Sequence, residues 1–104
     1  MSTKYIAKRT IWARIGGAAP FKVQMKIGKP FKVASSEWAC PVVLTGIHNL
    51  SIDARGHDAW QALQLAQWLI YDLVAHFVDQ GGTLHWSDED KDDLPLGSIW
   101  QWAK

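Results

Sequence analysis

The stretch GHDAWQALQLAQWLIYDLVAHFVDQGG, residues 56–82, constrains this chain more than any other. At roughly 100° per residue, Ala59, Ala62, Leu63, Ala66, Leu69, Ile70, Leu73 and Phe77 collect on one side of a helix. Asp58 can accept a hydrogen bond from a first-turn N–H, and its charge suits a helix N-terminus. Gly81 and Gly82 offer the left-handed exit that side chains resist. The spacing predicts a helix over residues 57–80, about six turns long. Its apolar stripe must be covered by a second layer. The small residues Ala59, Ala62 and Ala66 come early in that stripe, so close approach is expected there.

The rest of the chain supplies the second layer as strands. Residues 4–15 read as a first strand, with Tyr5, Ala7, Ile11, Ala13 and Ile15 on a mostly apolar face that Arg9 interrupts. GGAAP then marks a turn. In FKVQMKI, Phe21, Val23, Met25 and Ile27 alternate with Lys22, Gln24 and Lys26, the mark of a half-buried strand. Phe31–Ala34 reads as a short extension. WACPVVLTGI places Trp38, Cys40, Val42 and Leu44 on one face, and Pro41, with no N–H to donate, argues for an edge or a bulge. HNLSIDARG gives a fourth strand with His48, Leu50, Ile52 and Ala54 alternating. TLHW is a short fifth strand, SDEDKDDLPLG an acidic loop, and SIWQWAK a final strand or tail.

These elements predict an α+β fold of two layers, an antiparallel sheet of four to five strands packed against one long helix. The 104 residues suit one domain. It divides into basic strands (1–36), central strands (37–55), the helix (57–80), and a C-terminal strand with the acidic loop (83–104). Seven Trp give a small core much area to bury.

The net charge of +1 hides a segregation. Residues 1–36 carry +8 and no acid, and residues 37–104 carry −7. Either the halves pair internally or a charged partner meets them. The single cysteine, Cys40, permits no intrachain disulfide. The N-terminus lacks the apolar run of a secretory signal, and no run reaches the ~20 residues of a membrane helix. A cytoplasmic protein is expected, with no membrane contact.

Opposite the apolar stripe, Trp60, Gln64, Gln67 and Tyr71 form a strip with Trp68 beside it. A solvated helix face is usually rich in Lys and Glu, yet residues 56–82 hold no Lys or Arg. Exposed aromatics are enriched where proteins meet. Two readings stay open: the C-terminal IWQW or the loop after Trp86 covers the strip, or a partner does.

Chemistry-bearing patterns are weak. His48, His57, His76 and His85 form no metal-binding pair, so no metal and no cofactor are expected. Cys40 lies inside an apolar alternation, where a thiol is inert. Asp88, Asp90 and Asp92 alternate as in a calcium loop, but Asp93 and Ile99 occupy the positions that need Gly and Glu. No phosphate-binding glycine loop occurs. An enzyme is not expected. The acidic run Asp88, Glu89, Asp90, Asp92 and Asp93 is either a solvated loop or a surface for a basic partner. Lys4, Lys8, Lys22 and Lys26 define the alternative, a basic sheet face for nucleic acid.

Gly56, Asp58, Gln61, Ala62, Leu63, Leu65 and Ala66, followed by Gly81, Gly82, Leu84 and Trp86, make a pattern that resembles a group of small bacterial single-domain proteins of unknown function. Trp38, Cys40 and Pro41 extend the likeness, which spans roughly residues 37–97. The resemblance implies a fold rather than an activity. By size and type, such cofactor-free domains are similar to immunity proteins that neutralise toxins. The expectation is therefore a non-enzymatic protein-binding protein, with Trp60, Gln64, Gln67, Tyr71 and the acidic run as partner-binding residues.

Overall fold

Strands form where the alternation marks them. β1 (Tyr5–Ile15), β2 (Phe21–Gly28), β3 (Phe31–Ala34), β4 (Glu37–Thr45) and β5 (Leu50–Gly56) precede α1 (Ala59–Asp79) and β6 (Gly82–His85). The computed structural model describes residues 4–102. All strand pairs are antiparallel. β4 pairs with β5 along one side, and with β3 and then β2 along the other. β2 and β3 therefore act as one strand broken at Lys29–Pro30. The order across the sheet is β5, β4, β2 with β3, β1, β6. The helix carries the chain from one edge of the sheet to the other. The smallest dimension of the molecule, 19 Å, fits one sheet and one helix layer.

One face of the sheet meets the helix. Ile11, Ala13, Val23, Met25, Cys40, Val42, Leu44, Ala54 and Leu84 are buried against Ala62, Ala66, Ile70 and Val74 of α1. Each large side chain so buried is worth about 1.5–3 kcal/mol. Gly56 shows how close the layers come at the helix start. A Cβ there would sit 2.6 Å from the Ala62 nitrogen. Asp58 caps α1 by accepting from the Gln61 N–H at 2.8 Å, while the His57 N–H donates to Gln61 Oε1 at 2.7 Å. Two orphan donors are thereby satisfied reciprocally.

The structure corrects several expectations. Pro41 lies in the central strand β4, not at an edge. The partner strand pairs through Ala39 and again from Val42, so Pro41 faces its interruption, where no donor is missed. Gly28 makes room there, because a Cβ would meet the Pro41 ring at 2.8 Å. A register shift between Tyr5 and Ala7 takes Tyr5 out of phase with Ala7, and its ring lies beside Lys26 on the outer face. β5 begins at Leu50, so His48 is an exposed loop residue. Residues 96–98 form a single 3-10 turn, and the described residues after it run on as a tail, not a strand. Residues 103 and 104 of the expected C-terminal segment lie outside the described residues.

The helix presents the face expected of it to the sheet, but the strip expected opposite that face is misplaced. Val74 completes the buried row Ala62, Ala66, Ile70 and Val74. At roughly 100° per residue the point opposite that row is Trp68, with Gln61 and Asp72 beside it. The Trp60–Gln64–Gln67–Tyr71 strip is thus a flank, not the back. Leu63, Leu69, Leu73 and Phe77 lie on the same side of the helix as that row and are half-buried around it.

Candidate functional site

The acidic loop follows β6 and is anchored through its backbone. Arg14 Nη2 donates to the Asp88 carbonyl at 2.8 Å. His85, 2% exposed, stands between Thr83 and the loop. Its Nδ1 is 2.9 Å from the Asp92 carbonyl, an acceptor only, so Nδ1 carries the proton. Nε2 then accepts from Thr83 Oγ1 at 2.9 Å. The Leu94 N–H donates to the Leu84 carbonyl at 2.7 Å, and the Leu94 side chain is buried. Asp90 turns one oxygen to the Asp92 N–H at 3.1 Å. No carboxylate of Asp88, Glu89, Asp90, Asp92 or Asp93 lies in an ion pair among the described residues. The one ion pair there joins Arg55 to Glu37 at 2.6 Å. Among the described residues the two charged halves form no ion pair with each other.

The aromatic strip divides. The chain returns along α1 after the 3-10 turn, and Trp100 and Trp102 pack on Tyr71 with ring centroids 5.3 and 4.6 Å away. Trp68 joins them, 5.5 Å from Tyr71 and 5.1 Å from Trp102. Gln67 and Tyr71 are half-buried beside this tail. Trp60, 75% exposed, and Gln64 remain open. Trp68 and Trp102 are both about half exposed. Of the two readings left open for the strip, cover by the C-terminal IWQW holds for Tyr71 and Trp68 and does not extend to Trp60 and Gln64.

The basic residues gather on the outer face of β1 and β2. Lys8 stands directly opposite Lys26, and Trp12 opposite Lys22. Lys22 lies 5.7 Å from the centre of the Trp12 ring, and Lys26 lies 5.4 Å from that of Tyr5. Such contacts favour a cation modestly. Lys4 precedes β1 and contributes its carbonyl, which accepts from the Lys29 N–H at 2.8 Å. On the other face, the Arg9 guanidinium lies 5.2 Å from the Trp86 ring centre.

The nucleophile and the histidines stay apart. Cys40 is buried and its thiol lies 3.3 Å from the Gly28 carbonyl. Burial, reinforced by the charge of Asp53, pushes the thiol above its ordinary value. A neutral thiol is a poor nucleophile. Among the described residues, no three His, Cys, Asp or Glu side chains gather to hold a metal ion. No helix among them is long and apolar enough to cross a membrane.

Comparison with curated proteins and with solved structures returns no match. A family model does match, and it begins well upstream of the likeness read from the helix and central strand. It is a domain of unknown function, DUF6968, aligned with residues 7–97, and the chain belongs to that family.

Proposed function

We propose that this chain is a non-enzymatic protein-binding protein that meets a basic partner through the acidic loop, in the manner of an immunity protein blocking a bacterial toxin. The observation that carries the reading is the contrast within residues 87–93. The main chain is held by Arg14, His85 and Leu94, while the carboxylates have no cationic partner among the described residues. A held loop presents charge with little ordering cost on binding. Several carboxylates on one loop complement a cationic surface and speed encounter with it. Trp60 and Gln64, open beside the covered part of the strip, supply a second contact of the kind that anchors interfaces. The cell interior is the compartment in which such a protein would act.

The test begins by isolating the partner with tagged chain from the native host. Affinity is then measured at low salt for the Asp90→Asn/Asp92→Asn/Asp93→Asn variant. A loss of about tenfold or more is expected. Unchanged affinity removes the acidic loop from the interface. Protection of cells that express the partner separates a toxin blocker from other binders.

A second reading rests on Lys8 facing Lys26, with Lys22 and Lys26 over aromatic rings. Like charges opposed on a sheet disfavour folding, and a nucleic-acid backbone would relieve them. Retention on heparin that vanishes in Lys22→Ala/Lys26→Ala supports this reading. No retention at low salt ends it.

A further inference from the structure

The edge strand β5 is unusual for what it lacks. Among the described residues it pairs with β4 alone. Its sequence, LSIDARG, holds no Lys, no Pro and no bulge, and its charges are Asp53 and Arg55 alone. Beside it runs a groove of about 350 Å³, with Ile52 and Ala54 on the sheet side and Leu65, Trp68 and Leu69 on the helix side. Ile52, Leu65 and Trp68 are 45%, 40% and 49% exposed. Apolar side chains of this size beside an open backbone edge form a surface that water serves poorly.

The charges on β5 say what fits. Asp53 and Arg55 share the outer face, two residues apart, with Ala54 between them on the inner face. In an antiparallel pair of identical strands, the register centred on Ala54 sets Asp53 opposite Arg55 of the other copy, twice. Centring on Asp53 or on Arg55 sets like charge against like, which is destabilising. The same Ala54-centred register sets Ile52 opposite Gly56, beside the first turn of α1 that lies against that glycine. Arg55 already holds Glu37 at 2.6 Å, so the arriving Asp53 would complete a carboxylate–guanidinium–carboxylate row.

We infer that β5 is the seam of a two-fold homodimer, with two copies paired antiparallel through this strand about Ala54. Each sheet continues into the other. Because α1 packs on β4 and β5, the two helices lie on one side of the joined sheet with their Leu65 and Trp68 sides toward the dyad. The interface is isologous and closes on itself, so it stops at two copies. It leaves the acidic loop untouched, at the far edge beyond β6, so dimerisation and partner binding stand or fall separately.

Analytical ultracentrifugation of the full chain across the micromolar range tests it. The unaltered chain is expected to sediment as a concentration-dependent dimer. Asp53→Lys gives a chain with two cations on the seam. Arg55→Glu, made with Glu37→Gln to remove the neighbouring carboxylate, gives one with two anions. Each alone is expected to lose at least about tenfold in dimer affinity. Mixed together they should form a heterodimer, because both positions then oppose opposite charges. That recovery also shows that both variants fold. A monomer throughout for the unaltered chain overturns the inference, as do single variants that dimerise normally. So does a mixture that stays monomeric.

Discussion

The two edges of the sheet are finished in different ways. At β6 the chain completes the edge itself: Leu94 hydrogen-bonds Leu84, and Arg14 and His85 hold the loop that follows. At β5 nothing comparable arrives among the described residues, and Ile52 stays exposed. Each edge strand joins α1 through a glycine, Gly56 before the helix and Gly82 after it. The loop and tail are thus placed at one edge and along one flank of the helix, as far round as Trp68. Among the described residues, Ile52 at the other edge and Leu65 above it are left uncovered.

The largest expected effect tests the two glycine junctions against each other. Alanine at position 56 places a Cβ 2.6 Å from the Ala62 nitrogen and 3.0 Å from its Cα. Backbone in the first turn of a helix cannot step aside without moving the helix. Gly56→Ala is expected to cost about 3 kcal/mol or more. Alanine at position 82 runs into the Phe77 ring. That ring can turn, at the loss of its edge-on packing with Phe21. Gly82→Ala is expected to cost about 1–3 kcal/mol. Urea melts of both variants decide the order. If Gly82→Ala is the more damaging, the β6 junction is the tighter one and the comparison inverts.

His85 sharpens the β6 side. His85→Leu keeps an apolar body of similar reach and removes both ring hydrogen bonds, leaving the Asp92 carbonyl without its donor. A loss of about 2 kcal/mol is expected. Hydrogen exchange at Leu94 should quicken with it, because that N–H closes the same loop onto β6. Lost stability with unchanged exchange at Leu94 would mean that His85 supports the strand and not the loop.

Cys40, in β4 one strand in from the open edge, gives a smaller effect with a definite sign. Its thiol titrates above the ordinary 9.0 because burial disfavours the thiolate and Asp53 of β5 adds to that. Below the ordinary value both folded and unfolded chains keep the proton, so the group adds no pH dependence. Above it the unfolded chain releases the proton while the folded chain holds it. Stability therefore falls as pH rises toward the folded value. Thermal melts from about pH 8 to about pH 10 should show a shallower fall in Cys40→Ala than in the parent. Equal slopes would show that the thiol does not contribute.

Much of the fold was legible because it rests on period. Val23, Met25, Val42 and Leu44 stand where alternation put them, and Asp58 caps α1 as its side chain allows. The misreadings fall where a tertiary event overrides the local pattern. Pro41 reads as an edge residue until the break in β2 and β3 is seen opposite it. Tyr5 leaves its face at a register shift that no residue type announces. Val74 falls at the rim of the apolar stripe, roughly 80° from its mean direction, so a face read from spacing alone leaves it out. The acidic loop was visible as charge, but its anchoring was not, since Arg14 and Asp88 are far apart in sequence. Cover of the strip by IWQW was one of two readings the sequence left open, and packing decides it for Tyr71.

The smallest expected effect on stability falls on Trp60. It sits in the first turn of α1, 75% exposed, on the same flank as the covered Tyr71. A side chain that open contributes little packing to the folded state. Alanine is also the better helix former by a few tenths of a kcal/mol. Trp60→Ala is thus expected to leave stability within about 0.5 kcal/mol of the parent. Partner affinity should behave otherwise, because an exposed Trp of this kind is where binding energy concentrates. A loss of about tenfold or more is expected once the partner is in hand. The two measurements together separate the halves of the strip. A large loss of stability would place Trp60 under the tail's influence with Tyr71. A neutral result in both would leave the acidic loop as the whole of the partner surface.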